Sequence, residues 1–405
     1  MSLFSALLRL DRAATARRGG LGLLVESGFR PFFLLAGVYA CAPLVAWLLL
    51  YSRGAPFMSG WPAMAWHGHE MVFGFAGAAI AGFLLTAVPK WTGTAPVSRR
   101  VLGALIVTWL LGRAGMWAAA YIPAAVTAIA DVGFFALLAL VIGRAIYGTR
   151  NRRNFAFPAL LMLLGALNAL AHWDPGGAIG RAGTFAGIGV FLLAILIVGG
   201  RIVPAFTWSA LEREGVEVRR RPRRGLRVAT LVVAAPALLA DFVFDLGPLA
   251  GALELGAGAL VLASMTAWYG HRTLRRPILW VLHLGWAWLG VAFLLRGASA
   301  FGVVPPSVGL HAFTAGAIGT MILGVMSRAA LGHTGRPLRF HPATAAACGL
   351  VSLGAALRVF GPLVLPSSAS TTVIVGGALF ALGYLVYVVV YLPVLTRPRV
   401  DGAPG

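Results

Sequence analysis

Apolar residues fall in blocks of about 20, the length a helix needs to cross a bilayer, with short basic stretches between them. The blocks lie near 31–50, 67–88, 101–120, 122–146, 156–173, 182–203, 228–245, 248–269, 278–298, 309–328, 342–362 and 371–395. They predict an all-α, polytopic membrane protein of about twelve transmembrane helices. A single integral membrane domain is expected over 1–405, with a cytoplasmic N-terminal segment at 1–29, a basic cytoplasmic loop at 204–227 and a cytoplasmic tail at 396–405. The pair 228–245 and 248–269 is the weakest, because Asp241 and Asp245 crowd the turn between them.

The loops carry charge on alternate sides. Arg9, Arg12, Arg17 and Arg18 precede the first block, and Lys90, Arg99 and Arg100 follow the second. The sixth loop is the most basic, with Arg213, Arg219, Arg220, Arg221, Arg223, Arg224 and Arg227, whereas the odd-numbered loops hold little beyond Arg53 and Arg181. Positive loops stay on the cytoplasmic side, so both termini are expected there. Composition agrees: 59% of residues are hydrophobic and 11% charged, against roughly 25% charged in a soluble domain. The net charge of +21 therefore reads as membrane topology and not as a nucleic-acid footprint. The apolar run Leu3–Leu8 is too short for a secretory signal, and its arginines follow it. Cys41 and Cys348 suggest no disulfide, and no Cys-x-x-Cys-His run is present, so any haem is held without thioether bonds.

With this topology the eight histidines acquire depths. His67, His69 and His311 open the second and tenth blocks at the outer face, and His172 ends the fifth on that side. His283 lies in the cytoplasmic half of the ninth, and His271, His333 and His341 fall in cytoplasmic loops. The second and tenth blocks also match. Counting from His69, Gly74, Gly77, Ile80, Gly82 and Thr92-Gly93 share their offsets with Gly316, Gly319, Ile322, Gly324 and Thr334-Gly335 counted from His311. A weaker third copy sets Thr184 on His69 and brings Gly189, Ile195, Val203-Pro204 and Thr207 into register. Blocks two, six and ten suggest three units of four helices.

Two imidazoles from separate helices at one depth can occupy both axial positions of a haem iron, and His69 and His311 are placed that way. At about 100° per residue, His67 and His69 point to nearly opposite sides of a helix. Glu70 shares a face with His67 and offers a carboxylate for a metal site or a proton relay. Buried ionisable groups in a membrane are costly and therefore functional candidates. Arg113, Arg296 and Arg358 fall in the outer halves of their blocks, where they can pair with haem propionates or Glu70 or snorkel to the surface.

These segments resemble the NnrS family of bacterial membrane proteins. The resemblance rests on Gly28-Phe29-Arg30-Pro31-Phe32-Phe33, on His67-Gly68-His69-Glu70-Met71 running to Thr86-Ala87-Val88-Pro89-Lys90-Trp91-Thr92-Gly93, and on Gly200-Arg201-Ile202-Val203-Pro204-Ala205-Phe206-Thr207. Leu282-His283-Leu284-Gly285-Trp286 and His311 through Ser327-Arg328 to His333-Thr334-Gly335-Arg336 extend it. It implies a multi-pass protein of the bacterial inner membrane that holds a non-covalent b-type haem, and in the family copper, and is linked to denitrification and nitric oxide resistance. A fainter similarity is to the catalytic subunit of haem-copper oxidases and nitric oxide reductases. The sixth and seventh blocks hold no histidine, so the three-histidine copper site of those enzymes is missing. A second metal would have to draw on His67, Glu70 or His172.

Two classes of function follow. One is an oxidoreductase that reduces nitric oxide to nitrous oxide, with His69 and His311 on the iron, Glu70 as proton donor and an external electron donor. The other is non-enzymatic: a nitric oxide binder or sensor, or a twelve-helix transporter.

Overall fold

The computed structural model describes residues 21–53, 59–220, 223–242 and 247–402. Every long element in it is a helix, and there is no strand among the described residues. The helices are α1 (Phe29–Arg53), α2 (Ala63–Thr92), α3 (Arg99–Trp117), α4 (Ala124–Gly148), α5 (Ala156–Trp173), α6 (Ala178–Glu212), α7 (Arg224–Phe242), α8 (Gly247–Met265), α9 (Pro277–Ala300), α10 (Pro306–His333), α11 (Pro342–Val364) and α12 (Ala369–Thr396). Eleven helices or helical runs are long and apolar enough to cross a membrane. The twelfth helix, α3, is of comparable length but carries the buried Arg113 in its last turns, which lowers its hydropathy. The chain is a polytopic membrane protein.

The helix bounds differ from the expected ones mainly at α6. It runs on through Pro204 to Glu212, so residues 204–212 of the predicted basic loop are helical. Proline is tolerated inside a membrane helix where neighbours resatisfy the freed carbonyl, and Pro204 is buried against such neighbours. Asp245, Arg221 and the four arginines of the N-terminal segment lie outside the described residues.

Three helices, α2, α6 and α10, touch one another at the centre of the bundle. Around them lie α3–α5, α7–α9, and α11 and α12 with α1, the arrangement expected of three units of four. The matched residues take matched roles. Both α2 and α10 pass from α-helix into π-helix directly after the aligned histidine, at Glu70–Ala76 and Ala312–Gly319, whereas α6 is α-helical throughout. π-Helical segments are rare and cluster at functional sites. Thr92, Thr207 and Thr334 each donate a side-chain hydrogen bond to the carbonyl four residues back.

Small residues let these helices approach. A Cβ on Gly74 would lie 2.6 Å from the Tyr39 ring and 3.0 Å from the Arg113 guanidinium, and one on the aligned Gly316 would lie 2.6 Å from the Trp288 ring. The repeated glycine is thus the point where an aromatic side chain of a neighbouring helix is admitted.

Charge separates the two ends of the bundle. Lys90, Arg153, Arg201, Arg227, Arg276, Arg328 and Arg399 lie towards one end. His67, His69, His172 and His311 lie at the other, close to the starts of α2 and α10 and the end of α5.

Candidate functional site

At the histidine end, α2 separates two chambers. The first is a polar cluster between α2, α3, α4 and α5. Glu70, fully buried, accepts from Tyr39 on α1 and from Arg113 Nη1 at 2.5 Å. Arg113 Nη2 donates to Asp131 on α4, so one guanidinium bridges two carboxylates. His69 lies with Nδ1 2.8 Å from Glu70 Oε1 and Nε2 2.7 Å from Asn168 Oδ1 and 3.1 Å from Asp131 Oδ2. His172 Nε2 reaches the same Asp131 oxygen at 3.0 Å. Asn168 and His172 are four residues apart on α5 and so share a face. Trp61 closes the cluster with its ring edge-on to both imidazoles, at centroid distances of 5.0 and 5.3 Å. The Trp117 indole donates to the Tyr39 hydroxyl at 2.9 Å.

The donor atoms of His69, Asp131 and His172 lie within 4.8 Å of one another and could hold a metal ion. Two imidazoles and a carboxylate suit a transition metal such as iron, copper or zinc. The charge count of the cluster is met by a proton on His69, whose ring lies between Glu70 and Asp131, or by a bound cation. Glu70 and Asp131 contribute two negative charges and Arg113 one positive, in a pocket where uncompensated charge costs several kcal/mol. One further positive charge balances the cluster.

The second chamber is a cavity of ≈ 200 Å³ on the other side of α2. Its walls are apolar, with Leu44, Trp47, Phe75, Phe191, Ile318 and Phe380 among them, and its polar lining includes His67, His311 and Arg358. His67 stacks on Trp47, with ring centroids 4.5 Å apart and planes at 23°. Its Nδ1 is buried and has no hydrogen-bond partner. His311 is fixed by its own backbone: Nδ1 donates to the Ser307 carbonyl at 2.8 Å, which leaves Nε2 as the nitrogen with a free lone pair. No acidic residue lines the cavity, and Arg358 has no carboxylate partner among the described residues. A smaller apolar void of ≈ 90 Å³ shares Ala76, Phe191 and Ile318 with this cavity and continues between α2, α6 and α10.

Sequence reasoning paired His69 with His311, and the structure does not bring these two together. His69 is turned into the polar cluster with both ring nitrogens engaged, while His67 shares the cavity with His311. Two residues of α-helix separate their directions by about 200°, and π-helix begins only at Glu70, too late to change that. Arg113 meets Glu70, as one of the sequence alternatives had it, and Arg358 faces the histidine cavity. Arg296 is elsewhere, in a two-pronged ion pair with Asp241 at 2.7 Å and 2.7 Å. His283 is remote as well, bonded to Thr207 at 2.9 Å. Asp131, Asn168 and Tyr39 were missed. Asp131 is the sole acid in an apolar span of α4, which is itself the signal of a functional group.

The matched π-helices belong to α2 and α10, and the family match takes in both. The profile of the NnrS protein family covers residues 23–399. The chain belongs to the NnrS family. This places it among membrane proteins linked to the nitric oxide response, a family associated with metal and haem binding. Among curated proteins none matches the chain. The α2 and α10 segments that line the cavity, and the α3–α5 segments that complete the polar cluster, all fall inside the NnrS match.

Proposed function

We propose that this NnrS-family chain is a haem-containing oxidoreductase of a bacterial inner membrane that removes nitric oxide by reducing it to nitrous oxide. The observation that carries the reading is the cavity shared by His67 and His311, with apolar walls and an arginine that has no acidic partner among the described residues. The residues fit a b-type haem. His67 and His311 would hold its iron, the aromatic and aliphatic walls would pack on the macrocycle, and Arg358 would pair with a propionate.

Bound there, a haem would supply the redox centre for the reduction, and the site for nitric oxide where one of the two histidines gives way to the gas. The protein's own residues do the rest. The apolar walls of the cavity and of the void behind it admit a small apolar gas from the lipid and exclude water. Converting two nitric oxide molecules to nitrous oxide and water takes two electrons and two protons. Glu70, a carboxylate paired with Arg113, would take up protons and pass them on with Tyr39 and His69 from the far side of α2. An external one-electron donor supplies the electrons. His69, Asp131 and His172 are proposed to hold a second metal, with copper as the family's own precedent. The basic end faces the cytoplasm by the positive-inside rule, so both chambers lie near the outer face.

Purified protein given an artificial reductant and nitric oxide should form nitrous oxide, measured by gas chromatography. Binding of the gas without nitrous oxide would overturn the enzyme reading in favour of a nitric oxide binder or sensor.

A further inference from the structure

The basic end holds a second kind of cavity. It measures ≈ 310 Å³ and lies between α6, α7, α8 and α9. Five arginines line it: Arg153 from the turn before α5, Arg201 from α6, and Arg223, Arg224 and Arg227 from the start of α7. No acidic residue among the described residues lines it. The charges that act most on Arg201 are those of Arg153 and Arg227. Nearby acids are committed outside it, Glu212 to Arg220 and Glu214 to Arg276. Like charges gathered in this way repel one another, and an anion among them reverses that repulsion.

Two further observations point to a ligand. Trp208, about nine-tenths buried, lines the cavity, and its indole N–H has no hydrogen-bond partner. A buried donor left unpaired is costly, and an acceptor in the cavity would remove that cost. The cavity also receives the first turn of α7, whose leading N–H groups favour a phosphate. Gly200 keeps the space narrow yet open, since a Cβ there would meet the Trp286 ring at 3.3 Å and the Arg227 stem at 3.7 Å.

The wall has apolar as well as charged parts. Leu196, Leu226, Leu231 and Trp286 line it beside the guanidinium groups. A free phosphate has no use for that apolar surface, whereas a lipid has both a charged headgroup and acyl chains. We propose that this cavity binds the phosphate of an anionic phospholipid of the cytoplasmic leaflet. Basic pockets between membrane helices on that side are suited to such headgroups.

The test uses full-length protein in a neutral detergent, titrated with phosphatidylglycerol, cardiolipin, phosphatidylcholine or inorganic phosphate. Binding is read by native mass spectrometry and by the melting temperature. Phosphatidylglycerol or cardiolipin should bind and raise the melting temperature, and phosphatidylcholine should do so far less. Arg201→Gln and Arg227→Gln should each weaken binding of the anionic lipid by about fivefold, and Arg219→Gln, on the exposed loop outside the cavity, should not. Trp208→Phe keeps an aromatic side chain, smaller than the indole, and removes the donor, so it tests the site without removing charge; it too should weaken binding. Equal binding of phosphatidylcholine, or unchanged lipid binding in the arginine and tryptophan variants, would overturn the proposal. A shift produced equally by inorganic phosphate would overturn the lipid assignment and make free phosphate the ligand.

Discussion

His67 and His69 stand two residues apart on α2 and serve different chambers. His67 stacks on Trp47 and faces the cavity it shares with His311, while His69 sits between Glu70, Asn168 and Asp131. One helix thus forms the wall between an apolar cavity and a charged cluster. If the cluster holds a second metal, Asp131→Asn and His172→Ala should lower bound metal by about tenfold or more, the range over which altered metal-site partners act. Haem content should stay as in the unaltered protein. Elemental analysis beside the haem absorbance checks both, and equal metal in variant and parent would remove the second metal.

The Arg113 guanidinium bridges Glu70 and Asp131. All three side chains are nearly inaccessible. Removing one partner of a buried ion pair costs about 3–5 kcal/mol, because the charge left behind is uncompensated. Arg113→Met should therefore destabilise the protein strongly, whereas Arg113→Met with Glu70→Gln and Asp131→Asn should recover part of the loss. Thermal unfolding in detergent compares the three proteins, and an Arg113→Met variant as stable as the parent would contradict the charge balance described here.

Gly74 makes a narrower prediction. A Cβ at this position runs into Tyr39 and Arg113, so Gly74→Ala should cost about 1–3 kcal/mol, the usual range for overpacking. Gly103 faces open space on α3. Gly103→Ala should be neutral or slightly stabilising, as alanine favours the helix. A melting curve for each variant settles the contrast.

The fold was legible because its physics is written in runs: apolar blocks fix the spans, and the alternation of basic loops fixes which loops share a side. The depth of His67, His69, His172 and His311 followed from the same count, and all four lie at one end of the bundle, two in each chamber. The choice between His67 and His69 was not legible. It depends on how α2 is rotated against its neighbours, which packing at Gly74 and the buried Glu70–Arg113 pair decide. The alignment of α2 with α10 pointed to His69, and it did identify a shared feature, the π-helix beginning one residue after each aligned histidine. It carried no information on which neighbouring chamber each side chain enters. Asp131 could have been found by treating a lone acid in an apolar span as a candidate, on the rule already applied to the arginines.

Membrane orientation gives a separate prediction. With the arginine-rich end in the cytoplasm, a fluorescent protein fused after Arg399 should fold and fluoresce in cells. Alkaline phosphatase at that position should be inactive and should gain activity when inserted after Gly176, in the α5–α6 turn. The reverse pattern would place both histidine chambers at the cytoplasmic face.

The central claim is that His67 and His311 hold a haem that meets nitric oxide. The most direct measurement is the optical spectrum of the reduced, detergent-purified protein before and after the gas, taken for the parent, His67→Ala, His311→Ala and His69→Ala. The account predicts a haem band that shifts with nitric oxide in the parent and in His69→Ala, and a band lost or strongly altered in His67→Ala and in His311→Ala. A haem band that survives unchanged in both of these while disappearing in His69→Ala would contradict it.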